Sequence, residues 1–129
     1  LQVQSQEEYG HGMKIFRFMQ DRNSKVMLKQ ITAPRGDFNS VVEVFESALE
    51  QEIHVSERIN TLYELAFKEK AFAALVELQW FITEQVEEER TAREIVAKFN
   101  MVKSDPSAML DLDRELAGRM AAAAAAPAA

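Results

Sequence analysis

Apolar side chains recur at three- and four-residue intervals along three long stretches of the chain, the periodicity of helices with one buried face. The first stretch, Leu1 to about Arg22, places Leu1, Ile15, Phe18 and Met19 on a stripe shared with Glu8 and His11. No cap or turn signal falls between Leu1 and Gln6, so this helix reads as entered midway. Residues from Asn23 to Asn39 break the pattern with Asn23-Ser24, an extended-looking Val26 to Ile31 and Pro34-Arg35-Gly36-Asp37. A connection of roughly 16 residues is unusual in a bundle unless it crosses the length of the molecule, which makes the helices it joins parallel. A second helix is predicted from Ser40 to Lys68, with Asn39 or Ser40 as cap and Glu43 completing a capping-box pattern. Its stripe is Val42, Phe45, Leu49, Glu52, Ser56, Ile59, Tyr63 and Ala66. A short break at Glu69-Lys70 leads to a third helix, Ala71 to about Asn100, and two helices of equal length so joined form an antiparallel hairpin. The third stripe is Ala74, Leu78, Phe81, Gln85, Glu88, Ala92, Ile95 and Phe99. Ser104-Asp105-Pro106 interrupts the chain before a short last helix, Ser107 to about Ala117, and the residues from 118 to 129 form an alanine-rich, low-complexity tail.

Composition narrows the class. A chain of 129 residues, 47% hydrophobic and 28% charged, accommodates one all-α domain with a modest core, here assigned to residues 1–117. The absence of cysteine excludes disulfides and thiolate metal ligands. A net charge of −6 disfavours nucleic acid and favours cations. No membrane-spanning run or secretory leader is legible, which leads us to expect a cytoplasmic protein.

Three acids occupy positions where the stripes call for core residues: Glu8, Glu52 and Glu88. Burying a carboxylate without a compensating charge costs several kcal/mol. For each acid alone the bland reading is a solvated side chain, the more so for Glu88 within Glu87-Glu88-Glu89. Their coincidence on three helices favours cations. Glu8-x-x-His11 supplies a carboxylate and an imidazole one turn apart on one face, and oxygen donors with imidazole suit iron or manganese. Helix bundles of the di-metal class combine Glu from two helices with Glu-x-x-His from others, and the chain is matched to that arrangement. His54 points ~160° from Glu52 on the helical wheel and is expected at the surface. Met13, Met19, Met27, Phe16 and Phe18 are expected in the core, while Gly10 and Gly12 are expected to permit close packing.

The run Gln6-Glu7-Glu8-Tyr9-Gly10-His11, then Asp37-Phe38 and Val44-Phe45-Glu46, then Leu78-Gln79-Trp80-Phe81 with Glu84-Gln85 and Glu87-Glu88-Glu89, resembles the successive signatures of bacterial non-haem ferritins. The resemblance extends from Leu1 to about Leu116. It implies a ferritin-like four-helix bundle with a long crossover and a short fifth helix, lacking the first helix and the start of the second. It also implies a ferroxidase, an oxidoreductase subunit of a homo-oligomeric iron-storage shell of 24 copies, acting on Fe(II) with dioxygen or peroxide. By the same resemblance, Glu8 bridges two irons and His11 ligates the first. Glu52 and Glu88 bind the second, with Gln85 as a polar neighbour, while Glu7, Glu84 and Glu87 match a third iron position.

Bacterioferritin-like subunits and rubrerythrins carry a second Glu-x-x-His on the last long helix, where this chain reads Gln85-Val86-Glu87-Glu88. A haem-binding methionine would follow the motif glutamate, and Tyr9 stands there instead, so no haem is expected. The glutamate of a preceding helix, which completes the first iron's shell in the family, has no counterpart here, and a broad apolar face should be exposed. A truncated or engineered scaffold that assembles or binds iron without competent oxidation is the alternative function. A manganese- or iron-dependent oxygenase on the same bundle is a third.

Overall fold

The computed structural model describes the backbone of residues 2–102 and 104–125 and the side chains of 4–102 and 104–118. Among the described residues four helices follow in order: α1 (Gln2–Asp21), α2 (Val41–Lys68), α3 (Phe72–Val102) and α4 (Pro106–Ala125). The chain divides into two compact units, one containing α1, the following segment to Pro34 and the chain from Leu110, the other Arg35–Met109.

In the second unit α2 packs against α3. Phe45 near the start of α2 stacks on Phe99 near the end of α3, with centroids 4.8 Å apart, which fixes the antiparallel hairpin that the short joint predicts. Phe99 is the most buried large side chain, and Ile59, Ala66 and Phe81 complete the dry seam. Every position of the two predicted stripes is at least partly buried, Glu52 and Gln85 fully so. Apolar side chains also remain exposed on this unit, among them Leu65, Phe67, Phe72 and Val76.

The helix ends follow from local chemistry. Ser40 is the N-cap of α2, its hydroxyl accepting from the Glu43 N–H at 3.1 Å. The return contact of the capping box is displaced by one residue, since the Glu43 carboxylate accepts from the Asn39 backbone N–H at 2.6 Å. At the other end Lys70 takes φ 54°, and the Ala71 and Lys70 N–H groups donate to the Ala66 and Phe67 carbonyls. These are the two bonds of a Schellman closure. The same pair closes α1, with Asn23 at φ 53° and Ser24 and Asn23 donating to the Met19 and Gln20 carbonyls.

Several expectations are corrected. The last helix begins at Pro106 and continues to Ala125, beyond Ala117. Asp105 caps it through Oδ1, which accepts from the Ser107 and Ala108 N–H groups, and proline suits the first helical position because its missing N–H is not needed there. Its alanine run, the strongest helix former, explains the extension. Residues 126–129 of the predicted tail lie outside the described residues. Met27, expected in the core, is exposed with Leu28 and Ile31 in the irregular connection between α1 and α2. Gly10 and Gly12 have nothing within 4 Å of a Cβ placed on them, so neither serves a close approach.

Candidate metal centre

The predicted donors fall into two groups, one in each unit. On α1, His11 Nδ1 lies 3.5 Å from Glu8 Oε2, the one-turn, one-face pairing that the spacing predicts. The His11 side chain is 19% exposed and that of Glu8 48%. Glu8 is therefore not the buried acid that its stripe position suggests. The stretch Gln4-Ser5-Gln6-Glu7-Glu8 offers no apolar side chain to drive burial, and α1 becomes partly buried from His11 onward, through Met13, Ile15, Phe16, Phe18 and Met19. Glu7 is likewise exposed.

The α2–α3 seam holds the other group. Glu52 is 9% exposed and Gln85 7%, and they meet across the helix pair. The Gln85 Nε2 group donates to the Glu52 backbone carbonyl at 3.1 Å and to Glu52 Oε2 at 3.2 Å. It also lies 3.3 Å from Ser56 Oγ. The Ser56 hydroxyl lies one turn beyond Glu52, 3.1 Å from its carbonyl. Glu84 and Glu88 on α3 are half-buried, whereas Glu87 is exposed. Within the acidic run Glu87 turns outward, whereas Glu88 on the stripe and Glu89 beside it are half-buried. Among the described residues, no three His, Asp or Glu side chains stand close enough together to hold a metal ion.

Glu89, Arg93 and Ser56 extend this seam, and the sequence reading assigned none of them a role. Arg93 pairs with Glu89 one turn away on α3. A hydrogen bond from Ser56 is the largest influence holding the Glu89 carboxyl below the usual glutamate range; partial burial opposes it and Arg93 reinforces it. Two signals were available: Ser56 stands at i+4 from Glu52, the position from which a serine hydroxyl reaches back to a helix carbonyl, and Glu89-x-x-x-Arg93 has ion-pair spacing. His54 lies at the surface as predicted, 75% exposed, with Nδ1 3.2 Å from Glu57 Oε2.

Comparison with known proteins places this geometry in context. Residues 1–102 match the model of the ferritin-like domain. The bacterial non-heme ferritin of Staphylococcus haemolyticus is 38% identical over 116 residues, spanning 90% of this chain and 70% of that protein. The corresponding Staphylococcus aureus protein is 34% identical over the same shares. Among solved structures, the open-pore ferritin of Archaeoglobus fulgidus superposes with a TM-score of 0.87 at 43% identity, over 88% of this chain and 70% of that one. The domain match, the level of identity and the shared helical architecture agree, and the chain belongs to the ferritin family, on the side of its non-haem members.

Proposed function

We propose that the protein serves iron storage as a ferroxidase subunit, oxidising Fe(II) to Fe(III) for deposition inside a homo-oligomeric shell. The observation that carries this reading is the buried Glu52 carboxylate, held by Gln85 in the α2–α3 seam, at the position where the family resemblance expects an iron ligand. The donor chemistry fits the ion: carboxylates and one imidazole, with no thiol in the chain, suit iron. Iron is the substrate, each Fe(II) giving up one electron to dioxygen or peroxide. In this reading Glu8, His11, Glu52 and Glu88 bind the reacting pair, and their carboxylates offset the charge that rises as each ion becomes ferric. Glu7, Glu84 and Glu87 hold a third iron, and the protein acts in the cytoplasm.

Aerobic addition of Fe(II), followed by ferric absorbance, tests the proposal. The protein should oxidise iron faster than buffer alone, and Glu52→Ala or Glu8→Ala should slow the initial rate by about tenfold or more. The lack of any three converging donors among the described residues favours a second reading, a scaffold that binds iron without competent oxidation. Iron uptake at an oxidation rate equal to buffer would select it.

A further inference from the structure

The Gln85 amide presents two hydrogens to three acceptors: the Glu52 carbonyl at 3.1 Å, Glu52 Oε2 at 3.2 Å and Ser56 Oγ at 3.3 Å. Ser56 has one hydrogen to give. It goes to the Glu52 carbonyl at 3.1 Å, so the Ser56 oxygen faces Gln85 as an acceptor. Three oxygens then surround the end of the Gln85 side chain, and only its NH2 group can point at them, because a flipped amide would set its oxygen against the Glu52 carboxylate.

We infer that Ser56 is a positioning residue for the iron site: as a third acceptor beside the two oxygens of Glu52 it steadies the Gln85 amide, which in turn holds Glu52 by one carboxylate oxygen. Gln85 then acts on the Glu52 side as a hydrogen-bond donor rather than a ligand, and Glu52 meets the cation already ordered. Partners that orient a ligand in this way usually contribute substantially to affinity. The inference rests on the proposal that Glu52 binds iron.

The test uses Co(II) as a redox-inert probe, with affinity measured by titration calorimetry and coordination by the visible absorption of the bound ion. Wild type should bind Co(II) at a site that Glu52→Ala removes. Ser56→Ala should weaken that site by about three- to tenfold, below the usual loss for a direct outer partner because Ser56 acts through Gln85. The isosteric pair Ser56→Thr and Ser56→Val controls for packing. Threonine keeps the hydroxyl and should bind within about twofold of wild type with an unchanged spectrum, whereas valine should weaken as alanine does. This pair decides the matter even if Ser56→Ala fails to fold. Valine and alanine variants matching wild type, with the Glu52-dependent site intact, would overturn the role of Ser56 alone. No Glu52-dependent Co(II) site in wild type would instead overturn the iron-site proposal and the inference with it.

Discussion

At Glu43 a single carboxylate gathers the chain ahead of α2. It accepts from the Asn39 backbone N–H at 2.6 Å, from the Asn39 side chain at 3.0 Å and from Arg35 at 2.5 Å, while the Arg35 guanidinium lies 4.8 Å from the Phe38 ring centroid. The Asn39 backbone bond, followed by the Arg35 bond, holds the Glu43 carboxyl below its ordinary value of 4.5. A carboxyl with a depressed folded-state pKa stabilises the fold fully above its unfolded value, and that contribution fades as pH falls through the folded value. Glu43→Gln should therefore melt below wild type near neutral pH, and the difference should shrink steadily below the ordinary glutamate range. Thermal melts followed by circular dichroism across that range check this, and a gap that stays constant into acid would refute it. The cap itself was legible, because Ser40 and Glu43 stand at capping-box spacing. The one-residue displacement of the return bond was not, since Asn39 and Ser40 are both competent caps and the choice depends on where Arg35 and Phe38 settle.

Among the elements, the α2–α3 hairpin shows why helix faces are easier to read than helix ends. Each face repeats its signal over many turns, so one polar residue on a stripe stands out: Glu52 and Gln85 were placed correctly in the seam. Glu8 was not, because its stripe was inferred from apolar residues further along α1, and burial fails where the local sequence is polar. Ser56 was legible as a stripe position one turn from Glu52, but its pairing with Gln85 was not, since which α3 residue faces it depends on how the two helices align. The joint rests on one residue, Lys70 at φ 54°. A left-handed conformation costs a β-carbon-bearing residue about 1–2 kcal/mol, and glycine escapes that cost while losing more chain entropy on folding. The balance favours Lys70→Gly by about 0.5–1 kcal/mol, a rise in melting temperature of a few degrees. Asn23 occupies the equivalent position after α1, and asparagine tolerates that conformation better, so Asn23→Gly should gain less. Denaturant melts of both variants check the order, and a larger gain at Asn23 would show that strain at Lys70 does not limit the hairpin.

For the molecule as a whole, the most demanding consequence of the proposed shell concerns surface the fold leaves uncovered. The segment between α1 and α2 exposes Met27, Leu28 and Ile31, the last two 86% and 90% exposed. Burying a leucine or isoleucine side chain is worth about 1.5–3 kcal/mol, so exposed apolar residues close in sequence are a feature expected of an association surface. A closed homo-oligomer repeats each contact by symmetry, and a change in one chain is multiplied through the assembly. Leu28→Lys combined with Ile31→Lys adds two charges where the proposed assembly would bury apolar surface, and desolvating an unpaired charge costs several kcal/mol in each copy. The substitutions lie in an irregular segment outside the helices, so helicity by circular dichroism should match wild type. Sedimentation velocity should show wild type as a large species and the double variant displaced toward small ones. Equal distributions for the two would remove this segment from the contacts that close the shell.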